Sequence, residues 1–380
     1  MKYDENSRYD VAVIGGGPSG TIAARKLSEN GLKVIVLDKK IEIGAPDMCS
    51  DLINSSLLRE THVNEDSILL DNIYEITFVS GKSQASFSMR SKQDGDVFNA
   101  VIAGDRFQKE LASLAVEEGA AIEIRTEVKD ILKEREGYSL HVLNMGKYRE
   151  IKADYIINAT GGIEPILLNN DYHIEAEFDN FYFTYSRRKY SAENPEPIIR
   201  MSIGDSRLIE YQIPVAKTWI NDVLVDSIDT VGQREEFYEN SVTSGTEKIK
   251  ALRNTDYGNG GFLNVGLASG LFNRFFFTSY SEAFSTAVAA TDFILENRES
   301  EGSDKIRKYE DRIEKRLTEE DRLSGLLAKS ITSSSETAFE NFIETLSGID
   351  LKEISVSEIF RKTAAKNIDL LSILAGDHRP

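Results

Sequence analysis

Gly15, Gly17 and Gly20 stand in the run VIGGGPSG at the spacing G-x-G-x-x-G, and Asp38 closes the run VIVLD that follows. Residues of these types in this pattern can grip a dinucleotide. Gly15 permits a tight turn, Gly17 lets backbone amides reach a pyrophosphate, Gly20 lets a helix pack closely, and the acid accepts hydrogen bonds from ribose hydroxyls. Pro18 and Ser19 complete the turn. The chemistry needs a strand, a glycine turn, a helix and a second strand in that order. Val11 to Ile14 is apolar throughout, as expected of a strand covered on both faces. A helix is expected from Thr21 to about Asn30, with Ala23, Ala24 and Leu27 inward and its free N-terminal amides aimed at the phosphates. Gly31 ends it, and Val34, Val36 and Leu37 make the second strand. The plain alternative is a glycine-rich turn that binds nothing; two well-formed strands and the terminal acid speak against it.

The chain has 380 residues, enough for two domains sharing an interface or one large α/β core. Its hydrophobic share of 41% marks a folded globular protein, and no apolar run reaches the roughly 18 residues of a membrane span. No signal peptide is expected, because the first strand begins soon after the polar MKYDENSR. A single cysteine, Cys49, excludes an internal disulfide and a thiolate zinc site, and the scattered histidines add no metal centre. The net charge of −18 argues against nucleic acid as partner and against electrostatic docking on anionic lipid.

Further along, YEITFVS and SQASFSMRS alternate like strands, Asp105 to Gly119 has helical spacing through Phe107, Leu111, Leu114 and Ala115, and YSLHVLN continues a meander. ADYIINATGG reads as a buried strand running into a glycine turn. In FDNFYFTYSRRKY, Phe181, Phe183 and Tyr185 share one face at period two, which suits an antiparallel sheet with one wall turned to a core or a cavity. GNGGFLNVGLASGLFN is a second glycine-rich segment before a helix at SEAFSTAVAATDFILEN, and the tail from about Ser303 is helical and charged.

These residues together resemble the geranylgeranyl reductase branch of flavoproteins with the p-hydroxybenzoate hydroxylase fold, especially its archaeal members. The resemblance rests on GGGPSG with its acid-ended strand, on IEIGAPDMCSDL, on GDRFQKELASLAVEEGAAIEIRTEV, on ADYIINATGG, on the faded strand LIEYQIPVAKTWINDVLV, and on NVGLASGLFN. It implies FAD as cofactor. It implies an α/β fold: a Rossmann-like FAD-binding domain of parallel sheet plus β-meander, with an inserted antiparallel-sheet substrate domain and a helical C-terminus. The expected boundaries are 1–70, 95–163 and 258–300 for the first, 71–94 and 164–257 for the second, and 301–380 for the third. Lys39, Ala45, Cys49 and Arg106 join the cofactor site, Val128 offers a backbone contact to adenine, and Ala159 and Gly161 lie near the ADP portion. Gly266, Ala268 and Gly270 form the flavin loop, while Tyr211 and Pro214 join Phe181, Phe183 and Tyr185 on the substrate side.

Three positions depart from the family pattern. Leu267 stands where an aspartate holds ribityl hydroxyls, Gly104 stands where an arginine is usual, and the cysteine loop reads C-S-D. The activity implied is hydride transfer from reduced flavin to double bonds of an isoprenoid or prenyl lipid, with Cys49 as candidate proton donor or else an inert buried thiol. The alternatives are a relative that binds lipid or FAD weakly without turnover, and a flavin monooxygenase. The expected partners are a lipid substrate and an external electron donor, for a cytoplasmic protein in transient contact with the membrane surface.

Overall fold

The computed structural model describes residues 8–45, 52–80, 83–88, 99–162, 177–189, 198–203, 209–216, 218–226, 240–253, 255–274, 278–297, 309–313, 336–347 and 362–363. The chain opens with β1 (Arg8–Ile14), α1 (Pro18–Glu29) and β2 (Val34–Leu37). Next come β3 (Leu52–Ile53), α2 (Ser55–Glu60), α3 (Glu65–Ile68), β4 (Leu69–Ile73), β5 (Glu75–Ser80), β6 (Ser83–Ser88), β7 (Asn99–Ile102) and α4 (Gly104–Glu117). Four strands follow, β8 (Ala121–Glu123), β9 (Thr126–Lys133), β10 (Tyr138–Asn144) and β11 (Lys147–Asn158). A second group is β12 (Phe178–Lys189), β13 (Ile198–Ile203), β14 (Ile209–Val215), β15 (Trp219–Asp226) and β16 (Ser241–Leu252). Then come β17 (Gly258–Asn259), β18 (Phe262–Asn264), a 3-10 turn (Gly266–Ser269), α5 (Tyr280–Asn297) and α6 (Glu336–Ser347).

The parallel core runs β18-β11-β1-β2-β8, and strand alternation divides its side chains between two layers. Val11, Val13, Val34 and Val36 pack against α1, α5 and the helical residues 309–313, while Ala12, Ile14, Ile35 and Leu37 meet the meander through Ile131, Leu140, Val142 and Ile151. Both faces are covered, so every residue from Val11 to Ile14 is buried. The long β11 serves both layers: its first half pairs with β10 antiparallel, its second half with β1 parallel.

The helix α1 starts at Pro18, not Thr21, because a proline at the first helical position gives up no hydrogen bond the helix would have made. Pro18 and Ser19 therefore belong to the helix whose end faces the glycine turn. The second sheet runs β16-β12-β15-β14-β13-β5-β6 and is antiparallel except at β13 and β5, which pair in parallel. A small third sheet runs β3-β7-β4, so residues 69–73 and 99–102 pair with each other and with neither large sheet.

Tyr309 closes the core. Its ring contacts Tyr257 and Phe293, and its hydroxyl donates to the Asn264 carbonyl at 2.8 Å. Burial, with Tyr257 adding to it, pushes its pKa well above the usual tyrosine value. The folded pKa exceeds the unfolded one, so this stabilisation is complete below about pH 10 and is lost as the pH rises past it. Tyr309→Phe is expected to cost about 1–2 kcal/mol at neutral pH and to make the alkaline loss of stability shallower, read from urea melts at both pH values.

Candidate functional site

The glycine turn is built by close backbone approach. Gly15 has φ +105° and its N–H donates to the Leu37 carbonyl at 2.8 Å, while a side chain there would overlap the Ala159 carbonyl. A methyl on Gly20 would run into the Gly15 carbonyl and sit 3.2 Å from the Ala159 Cβ. Turn, helix and the end of β11 thus touch directly. Gly17 is different: nothing lies within 4 Å of where its Cβ would be. It forms the N-cap of α1 with no side-chain cap, so the first-turn amides face that open space. An anion such as a pyrophosphate fits there.

Asp38 is buried at the end of β2. One carboxylate oxygen accepts from the Gly16 N–H at 2.7 Å and the other from the Lys40 N–H at 2.7 Å. A carboxylate offers about four acceptor positions, which leaves capacity for ribose hydroxyls. The sequence reading missed Gly16, whose own signal was the doubled glycine; a Cβ there would meet Asp38 at 3.0 Å and clash with Ile43. Thr126 donates its N–H to the Asp38 carbonyl at 2.8 Å, which brings Val128, two residues on, beside the same turn. Lys39 is exposed next to it. Ala45 lies beyond Gly44, whose φ of +84° and approach to the Asp105 carbonyl seat this segment on the start of α4. Arg106 points elsewhere, donating to the Ser67 carbonyl at 3.4 Å.

The second glycine loop stands against the first. Gly266, at φ +60°, donates its N–H to Thr286 Oγ1 at 2.7 Å, and a Cβ there would lie 2.9 Å from the Ser19 hydroxyl. Thr286 carried no signal in the sequence. Ala268 and Ser269 are buried, the Ser269 hydroxyl donates to the Gly266 carbonyl at 2.7 Å, and Gly270 ends the turn at φ +85°. Leu267 packs on Gly162, where an added Cβ would also meet Ile249 at 2.8 Å. The loop therefore presents an apolar side chain at the position where the family resemblance expects an aspartate. Leu267→Asp is expected to tighten FAD binding by roughly tenfold in a fluorescence titration, through a charge-assisted hydrogen bond. Unchanged or weaker binding would show that the ribityl chain does not pass Leu267.

Ala159 and Gly161 follow β11, and no heavy atom lies within 4 Å of a Cβ on Gly161. On the second sheet, Phe181 lies 5.7 Å from the Phe272 ring, next to the flavin loop. Phe183 and Tyr185 share its face, and register carries that face through Val223 to Tyr211. Gly245, opposite Tyr185, leaves room for its ring. Pro214 falls on the opposite face from Tyr211 because strand side chains alternate, so it does not share the aromatic wall. Cys49 and Phe275 to Phe277 lie outside the described residues.

Residues 8–167 match a flavoprotein class, the family described as FAD binding domain, and FAD is the cofactor that domain takes. Within that class, the chain is 32% identical to digeranylgeranylglycerophospholipid reductase 3 of Methanosphaera stadtmanae over 154 residues, 40% of this chain and 39% of the relative. The chain thus spans about two fifths of the length of the curated relatives it matches. A geranylgeranyl bacteriochlorophyll reductase-like protein from Thermoplasma acidophilum shares the fold at a TM-score of 0.84 and 20% identity, covering 98% of this chain and 99% of that one. The p-nitrophenol 4-monooxygenase PnpA of Pseudomonas putida follows at 0.72 and 12%, covering 97% and 99%.

Proposed function

We propose that the protein is an FAD-dependent reductase acting on double bonds of an isoprenoid or prenyl-lipid substrate. The observation that carries this reading is the uncapped end of α1 at Gly17, with the Gly266–Gly270 loop seated against Ser19 of the same helix and the Phe181 ring of β12 against Phe272 just beyond that loop. The named reductases that 40% of the chain resembles supply the reaction type. FAD bound in its reduced form would supply the hydride for one alkene carbon, and an acid would supply the proton for the other. The chain's part is to anchor ADP with Gly15, Gly17, Gly20, Asp38 and Val128, and to keep water from the alkene with Phe181, Phe183, Tyr185 and Tyr211. We assign residues 1–70, 95–163 and 258–300 to cofactor binding, 71–94 and 164–257 to the substrate side, and the cytoplasm as its compartment. The electron donor is external.

Leu267 favours a second reading, a relative that keeps ADP anchorage without turnover. The visible spectrum of the purified chain separates the two. Flavin bands at about one equivalent, and reoxidation of the anaerobically reduced flavin by a geranylgeranylated lipid, are expected of the reductase. A colourless protein that takes up no added FAD would sink it. Reoxidation by oxygen with hydroxylation of a phenol would move the chain to the monooxygenases.

A further inference from the structure

A net charge of −18 opposes an anionic surface only where the charge is evenly spread, and at one edge of this molecule it is not. At the carboxyl ends of β2 and β8, the Arg125 N–H donates to the Lys40 carbonyl at 2.8 Å, joining the turn after β2 to the turn before β9. Thr126 faces Asn144 across β9 and β10, and the Asn144 amide donates to the Thr126 hydroxyl, joining that turn to the β10–β11 hairpin tip. Three chain reversals therefore stand side by side. Each exposes an apolar side chain: Ile41 at 66%, Ile124 at 40% and Met145 at 74%, with Tyr148 at 73% just beyond the tip.

Two of these reversals use backbone that glycine or asparagine would adopt more cheaply. Met145 has φ +46° and Arg125 has φ +56°. A large apolar side chain held in left-handed backbone and in solvent is a cost to folding, which points to a use outside the fold. The charges at this edge agree. Glu123 is taken by Arg149, Glu127 by Lys129 and Glu42 by Lys109, whereas Lys40, Arg125 and Lys147 form no ion pair among the described residues. The edge is locally cationic on an acidic protein.

We propose that this edge docks on an anionic lipid bilayer, with Ile41, Ile124, Met145 and Tyr148 entering the headgroup boundary and Lys40, Arg125 and Lys147 meeting lipid phosphates. Single exposed apolar side chains on three adjacent reversals, with Lys40, Arg125 and Lys147 in the same turns, suit a fluid interface that closes around each of them. A protein partner would need a continuous desolvated patch. The proposal goes beyond the reductase reading and stands on the surface alone.

The test is co-sedimentation of the full chain with vesicles of phosphatidylglycerol and phosphatidylcholine in equal parts, against phosphatidylcholine alone. The chain is expected to bind the anionic vesicles, and Met145→Asp combined with Lys147→Glu to weaken that binding by at least about tenfold at unchanged melting temperature. Met145→Gly adds a signature that a structural role would not give: a more stable protein that binds vesicles less well. No binding to anionic vesicles, or equal binding by the variants, overturns the proposal. So does a lipid-free dimer, seen by ultracentrifugation, that Met145→Asp dissolves, since the edge would then join two copies. A colourless protein that still sediments with anionic vesicles overturns the cofactor reading and leaves this one standing.

Discussion

Gly20→Ala is expected to cost the protein on the order of 3 kcal/mol of stability, and its cofactor with it. The added methyl would be driven into the Gly15 carbonyl, a backbone atom fixed by its own position over Ala159. No side-chain rotation relieves that overlap, so α1 must lift away from β1. The helix buries Ala23, Ala24 and Leu27 in the same core as Val11 and Val13, and lifting it opens that core. Denaturation by urea should show the lower midpoint, and the purified variant should carry no flavin bands. A variant of wild-type stability would mean that the turn is not held in the conformation described.

Gly17→Ala is expected to do the opposite: leave the fold in place and remove the ligand. The residue has φ −73°, which alanine adopts without strain, and a Cβ there meets no atom. Stability should change by less than about 1 kcal/mol, the scale of an N-cap exchange. The methyl occupies the space into which the first-turn amides of α1 point, so FAD affinity should fall by at least about tenfold. Titration calorimetry with FAD and a thermal melt on the same sample check both halves. If affinity survives, the pyrophosphate does not lie at this helix end, and the reading of the site fails while the fold stands.

Much of this was legible in the residues. The unbroken apolar runs of β1 and β2 could only belong to strands covered twice, and the glycine spacing with Asp38 marked the turn into α1 and the buried acid that accepts from Gly16. Local signals of this kind depend on neighbours in sequence. What stayed hidden depends on residues far apart. The parallel pairing of β13 with β5 joins segments more than a hundred residues apart, and nothing in either strand names the other. Nothing in the sequence around Arg106 announced the Ser67 carbonyl that α3 places within its reach. Pro214 and Tyr211 sat in one motif, but the odd number of steps between them puts them on opposite faces. The lack of an acid at Leu267 was plain; its packing on Gly162 was not.

The double service of β11 has a consequence for how the protein is made. The glycine turn leaves the ribosome well before β11, yet Gly15 rests on the carbonyl of Ala159 and β1 pairs with Tyr155 to Asn158. Until those residues emerge, the fingerprint is a bare turn with no back wall. The same strand cannot take its place before the meander that forms its first half. The earliest-synthesised part of the site is therefore among the last to become competent, and FAD added during synthesis can select only chains in which this distant pairing has closed.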